Sequence, residues 1–316
     1  MGHSFYSCDW GTSNFRLRLV DASSLEIAAE IRTDVGIDRL EGDDPGRFGT
    51  YLVERISELP CADGPPAPEL PVWVSGMASS SIGWRELDYA CLPFSLDGSG
   101  AVVGDLGPLD EHLPHPVRLV SGLRSADDML RGEETQALGL LDLLGKREEE
   151  ILLILPGTHS KHLGARGGKI TSLRTFMTGE LYSILSKHSI LRHTVEEPET
   201  LDGLEDAFLD GVRSGTRRGL AEGLFAARTR QVLGKKTSPE NGAYLSGLLL
   251  SAELEPVRDW SSAILVGASG LVGNMYLLAA SELGIGPLEP VDARHLELAV
   301  AAGHALLEKI QPGKMT

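Results

Sequence analysis

One phrase is written twice in this chain: a short apolar strand, then Gly-Thr with small polar residues, then a basic residue. The first copy is FYSCDWGTSNFRLRL, Phe5 to Leu19, and the second is ILLILPGTHSKHLGA, Ile151 to Ala165. At a strand-to-strand turn such residues present backbone N–H groups and hydroxyls, the geometry that cradles a phosphate chain. The donors expected are Gly11, Thr12, Ser13 and Asn14 in the first loop and Gly157, Thr158 and His159 in the second, with Ser160 and Lys161 close by. Arg16 is suited to the charge of a terminal phosphate. Two such loops facing each other would make a nucleotide cleft.

Three further stretches carry chemistry. Ala263 to Val266 runs into Gly267, Ala268, Ser269 and a helix, a strand, glycine loop and helix suited to holding an adenosine. Its spacing is GxxGxxG instead of GxGxxG and it lies late in the chain, which argues against a dinucleotide fingerprint. Gly76 to Trp84 ends a strand with Ser79, Ser80 and Ser81, a loop placed to contact a small ligand. Glu133 and Glu134 open a helix, where the dipole favours acidic residues and where a base could stand. His159 and His162 lack a third convergent ligand, so no zinc site is expected.

Composition narrows the classes. With 42% hydrophobic and 23% charged residues the chain is globular, and 316 residues suffice for two domains. A formal charge of −16 argues against nucleic acid, because a phosphate backbone needs a basic face. Three cysteines, Cys8, Cys61 and Cys91, with no CxxC pair, favour a reducing compartment. No basic segment with an apolar stretch and cleavage site opens the sequence, and no apolar run approaches the ~20 residues of a membrane span. A cytoplasmic enzyme is expected, with an isologous homodimer as the default assembly.

The elements that must position these residues follow from period and punctuation. Phe15, Leu17 and Leu19 alternate with Arg16 and Arg18, the period of a half-buried strand pairing with Phe5 to Asp9. Leu25 to Thr33 completes an antiparallel meander, Asp63 to Pro71 is a proline-rich loop, and Val72 to Ser75 is a buried strand. Lys146 to Glu150 marks a boundary, after which Leu152 to Leu155, Lys161 to Ala165 and Lys169 to Met177 repeat the meander. Helices are expected over Glu180 to Ser186, Leu204 to Leu233 with interruptions, Glu240 to Leu254 and Asn274 to Leu283. The fold class is α/β, with two duplicated lobes: residues 1–148, completed by a helix over 292–310, and residues 149–291.

Together these motifs form a recognisable set. Asp9 to Arg16 resembles the first phosphate signature of the actin, Hsp70 and sugar-kinase superfamily, Pro156 to Ser160 the second, and Val266 to Gly270 the adenosine signature. More narrowly, DWGTSNFRLR, SGMASSSIGW, RGEETQ, PGTHSKH, FMTGELYSIL, FLDGV, YLSGLLLSAEL and ILVGAS resemble the 2-dehydro-3-deoxygalactonokinase family from about Cys8 to about His304. The resemblance implies actin-like (ribonuclease H-like) ATPase lobes, each a mixed sheet with flanking helices, and an ATP cleft between them. It implies ATP-dependent phosphorylation of 2-dehydro-3-deoxy-D-galactonate at its terminal hydroxyl, with Asp9 on a hydrated Mg²⁺ and Glu133 as base, Glu134 being its substitute. Substrate contacts are expected from Ser79, Ser80, Ser81, Trp84, Arg131, Thr178 and Glu180, with Arg174 a further partner for the carboxylate. The rivals are a related sugar-acid kinase, an exopolyphosphatase-like hydrolase, disfavoured because it needs a basic channel, and a non-enzymatic regulator.

Overall fold

The computed structural model describes residues 4–40, 42, 44, 46–59, 70–108 and 114–310. It separates into two compact units: Met1–Glu149 with Ala165–Leu173 and Arg294–Thr316, and Glu150–Gly164 with Arg174–Ala293.

The first unit opens with β1 (Ser4–Trp10), β2 (Phe15–Asp21) and β3 (Ile27–Thr33), then α1 (Gly46–Glu58) and β4 (Val72–Gly76). β5 (Ala90–Cys91), β6 (Phe94–Ser95), β7 (Val103–Gly107), β8 (Val117–Val120), β9 (Leu123–Arg124) and β10 (Met129–Leu130) lead to α2 (Glu133–Leu143). Its main sheet has the order β3-β2-β1-β4-β8-β7. β1 is antiparallel to β2 and parallel to β4, so one strand carries both the phosphate-loop turn and the register of the strand that ends in the polar loop. The alternation read from the sequence has its cause here: Phe15 and Leu17 are buried with Trp10, Phe48 and Leu52 in one core. Each such side chain contributes about 1.5–3 kcal/mol of burial.

In the second unit, β11 (Ile151–Leu155), β12 (Ser160–Arg166) and β13 (Lys169–Phe176) precede α3 (Thr178–His188), α4 (Glu205–Val232) and α5 (Ser238–Leu254). β14 (Ala263–Val266), α6 (Gly270–Leu283) and β15 (Leu288–Pro290) follow. The order β15-β14-β11-β12-β13 repeats the β8-β4-β1-β2-β3 of the first unit, with β14 parallel to β11 and β15 as β4 is to β1 and β8. The tip of the β12–β13 hairpin pairs within the first unit, Lys169 with Ser95 and Ile170 with Phe94. α7 (Ala293–Ile310) closes the first unit.

Several bounds differ from those expected, each for a local reason. β3 starts at Ile27, not Leu25, because Leu25 takes φ 57° in a turn where the Asp21 carboxylate accepts the Ser23 and Ser24 N–H groups. α5 starts at Ser238 because Thr237 and Glu240 form a capping box. α6 starts at Gly270, since extended Ser269 precedes it. α4 spans the expected stretch as one element, interrupted at Gly219 with φ 72°. The proline-rich loop lies, up to residue 69, outside the described residues.

Candidate active site

The first phosphate loop is a tight turn braced from one side. Gly11 N–H donates to the Asn14 carbonyl, while the Gly11 and Thr12 carbonyls accept from Ile37 and Asp38. Gly36 lies so close that a Cβ there would meet the Thr12 oxygen at 2.0 Å. The carbonyls being occupied, the loop presents Thr12, Ser13 and Asn14, all exposed. Asp9 and Arg16 are register partners beside it, both half-buried. Burial raises the Asp9 carboxyl above its ordinary range, opposed by the charges of Arg16 and Arg18. Burial lowers Arg16, as do neighbouring Arg18 and Arg32. Arg18, its neighbour on the same face, is instead a structural residue, donating to Glu30 and Glu297.

The carboxylate pair stands where three backbones converge. Gly132 precedes α2 with φ 106°, and a Cβ there would lie 3.2 Å from the Cα of Gly76, itself at φ 94° at the end of β4. Only glycine fits both conformations cheaply. Glu134 is buried, its Oε2 accepting the Gly132 N–H at 2.7 Å and its Oε1 the Thr135 hydroxyl at 2.9 Å. Burial, then the charge of Glu133, raise it to about 7. Glu133 is half-buried, and its Oε2 accepts the Arg131 N–H at 3.1 Å.

Arg131 ties this segment to the Gly76 to Trp84 loop. Its guanidinium donates to the Ser79 carbonyl at 2.5 Å and hydroxyl at 2.7 Å, over the Tyr89 ring at 4.2 Å. Ser79 and Ser80 are buried, with their hydroxyls on the Val120 and Met77 carbonyls, so they shape the loop, whereas Ser81 is exposed. Trp84 stacks on Phe48 and meets Trp10 edge-on.

In the second unit the corresponding loop backs onto a cavity of about 490 Å³. Gly157, Ser160, Thr178, Ala268 and Ser269 line it; Thr158, His159, Lys161, Glu180 and Gly267 do not. Gly267 N–H donates to the Ile154 carbonyl, joining the two loops through their strands. His159 pairs with Glu180 at 2.5 Å on the surface. Lys161 is buried, donating to the Thr175 hydroxyl. Behind the cavity Glu253, buried, accepts from Tyr276 at 2.6 Å, from Thr178 and from His162 Nε2 at 3.0 Å. Neither Glu253 nor Tyr276 carried a local sequence signal, because their partners are 23 to 91 residues apart.

Among the described residues no three His, Cys, Asp or Glu side chains converge to cage a metal, and no helix is long and apolar enough to cross a membrane. A cation of the Mg²⁺ type needs no such cage, since it keeps waters and takes one or two carboxylates. Asp9 fits that part, its carboxylate forming no hydrogen bond with the described residues.

The sequence relatives point the same way. DgoK1 of Rhizobium meliloti (strain 1021), described as a probable 2-dehydro-3-deoxygalactonokinase, is 33% identical over 309 residues, covering 95% of this chain and 94% of that protein. The 2-dehydro-3-deoxygalactonokinase of Escherichia coli (strain K12) is 28% identical over 261 residues, 81% of each chain. The crystal structure of a Sinorhizobium meliloti protein assigned as a 2-dehydro-3-deoxygalactonokinase superimposes with a TM-score of 0.81 at 30% identity, covering 98% of this chain and 99% of that one. The Acidaminococcus fermentans (R)-2-hydroxyglutaryl-CoA dehydratase component A shares the fold at a TM-score of 0.51 and 11% identity, over 98% and 99% of the two chains. The fold is that of the actin-like ATPases. Residues 9–303 match the 2-keto-3-deoxy-galactonokinase family, and the chain belongs to it.

Proposed function

We propose that this chain transfers the γ-phosphoryl group of ATP to the terminal, 6-hydroxyl group of 2-dehydro-3-deoxy-D-galactonate, giving 2-dehydro-3-deoxy-6-phosphogalactonate in galactonate catabolism. The observation that carries the reading is membership of the 2-keto-3-deoxy-galactonokinase family over residues 9–303. A carboxylate pair held at a helix start beside a polar loop supports it from the geometry.

Phosphoryl transfer needs charge neutralisation, in-line positioning and an acceptor for the hydroxyl proton. The loop Gly11, Thr12, Ser13 and Asn14 would meet the β- and γ-phosphates, with Arg16 on the γ-phosphate. Gly157, Thr158 and His159 would be the phosphate contacts of the second unit, with Ser160 behind them. Gly267, Ala268 and Ser269 would hold the adenosine, for which a cavity of about 490 Å³ is of suitable size. Lys161, bonded to Thr175, supports its loop from within. Asp9 would hold a hydrated Mg²⁺, which when bound neutralises phosphate charge.

Glu133 would accept the hydroxyl proton. Both oxygens of Glu134 are engaged and it is only 1% exposed, which leaves Glu133 as the carboxylate able to meet a substrate. Arg131 and Ser81 would face the sugar acid, with Ser79, Ser80 and Trp84 shaping the loop they stand on. Thr178 and Glu180 shape the second loop through Glu253 and His159. The same reading makes the protein a cytoplasmic enzyme of small molecules, without a nucleic-acid partner, acting as a homodimer.

The test is coupled ADP release from Mg²⁺-ATP with a panel of 2-keto-3-deoxy sugar acids, aldonic acids, neutral sugars and polyphosphate. Fast release with 2-dehydro-3-deoxygalactonate alone is expected. Preference for another acceptor would overturn the substrate, and phosphate release from polyphosphate would turn the reading to a hydrolase.

A further inference from the structure

Behind the carboxylate pair runs an unbroken buried chain of hydrogen bonds. Thr135 Oγ1 lies 2.9 Å from Glu134 Oε1, Ser75 Oγ 2.9 Å from Thr135 Oγ1, His304 Nε2 2.5 Å from Ser75 Oγ and Ser7 Oγ 2.8 Å from His304 Nδ1. Ser7, Ser75, Glu134, Thr135 and His304 are all buried, none more than 3% exposed. Four elements contribute: β1, β4, α2 and α7. α2 and α7 touch backbone to backbone, since a Cβ on Gly139 would meet the Ala299 oxygen at 1.8 Å and one on Gly303 the Thr135 oxygen at 2.2 Å. A hydrophobic fold has no use for such a chain, because each buried polar group costs free energy unless bonded.

The donors in this chain run one way. A carboxylate only accepts, so Thr135 spends its single hydroxyl proton on Glu134 and must accept from Ser75. Ser75 in turn must accept from His304, which places the ring proton on Nε2 and leaves Nδ1 to accept from Ser7. Burial pushes His304 down to about 3, so the ring is neutral throughout the working range. The charged and titratable groups around the chain are Glu133 and Arg131 on the same segment, His304 from α7, and Cys8 and Asp9 from β1, Asp9 being the register partner of Ser75.

We propose that Ser7, His304, Ser75 and Thr135 form a positioning relay that favours the carboxylate form of Glu134 beside Glu133, so that its charge, where present, strengthens Glu133 as the base. The inference rests on the reading of Glu133 as proton acceptor. Like charges favour protonation of one another, and hydrogen bonds in series reinforce each other in a low-dielectric interior. His304 touches no substrate in this scheme. It acts through two hydroxyls on a carboxyl three hydrogen bonds away.

The experiment compares wild type with Thr135→Val, Thr135→Ser and His304→Phe in kcat and KM across pH, and follows the buried Glu134 carboxyl by pH-difference infrared spectroscopy, its band assigned by loss in Glu134→Gln. Thr135→Val should lower kcat about fivefold at pH 7, move the acid limb of kcat upward by about one pH unit and move the infrared midpoint with it, leaving the KM for ATP unchanged. Thr135→Ser should restore all three. Nitrogen NMR of wild type should show His304 protonated on Nε2 above that midpoint. An unshifted pH profile and infrared midpoint in Thr135→Val, or an Nδ1-protonated ring, would overturn the relay even if His304→Phe fails to fold. Glu133→Gln run alongside keeps the two readings apart: near-wild-type turnover there removes the base assignment, while the infrared and NMR readouts still judge the relay.

Discussion

Among the described residues each unit buries one glutamate, and the two are held in opposite ways. Glu253 in the second unit accepts from a tyrosine, a threonine and a histidine. Glu134 in the first accepts one hydroxyl and one amide and has a like charge beside it, which together with burial lifts it to about 7. The sheets share one strand order, so the difference lies in what the helices bring to them. α6 and α3 bring donors that hold a loop against the cavity of the second unit, whereas α2 brings a second carboxylate. A repeated scaffold thus differs by side chains at the ends of matching strands, one set of donors around a carboxylate and one pair of adjacent carboxylates.

The sharpest way to break this contrast is Glu133→Gln, expected to lower kcat by about 10²–10⁴-fold with ATP binding little changed. Unaltered turnover would make the first unit a second holding site. Next is Glu253→Ala, which strands three donors and should cost the fold about 4 kcal/mol, read as a lower urea midpoint together with a raised KM for ATP. A variant as stable as wild type would mean that this carboxylate anchors nothing.

The third test concerns pH. Because the folded Glu134 is raised from 4.5 to about 7, its protonated form favours the fold below about pH 4.5 and that stability is lost as pH rises through about 7. The loss is about 3 kcal/mol, and urea unfolding at pH 4.5 and 8 should show it in wild type and not in Glu134→Gln. An identical pH dependence in both proteins would remove the contrast with Glu253. The smallest effect is Arg131→Met, which frees the Ser79 loop and should raise the KM for the sugar acid about tenfold, near 1.4 kcal/mol, with the KM for ATP unmoved.

Much of this was written locally in the sequence. The two meanders and the turns within them were legible because a period of two and a Gly-Thr turn are short-range signals, and α5 because Thr237 and Glu240 are three residues apart. β7 and β8 were not foreseen, since Val103–Gly107 has neither clean alternation nor an apolar run. The bonds of Ser79 and Ser80 were not legible: small polar residues in a loop look like ligand contacts, and their composition does not announce that their hydroxyls donate to the Val120 and Met77 carbonyls. His304 was invisible as a polar partner, lying in an alanine-rich helix with contacts 229 and 297 residues away.

That last distance has a consequence for how the protein is made. Ser7, Arg18 and Trp73 bond His304, Glu297 and Glu308 respectively, all on α7. During synthesis these early strands must wait for nearly the whole chain before their polar groups find partners, and contacts so distant in sequence form slowly. The second unit, Glu150–Gly164 with Arg174–Ala293, emerges in full before α7. The unit that bears the carboxylate pair is therefore the last to gain all of its strands' partners, and a chain ending before α7 would lack the groups that Ser7, Arg18 and Trp73 bond.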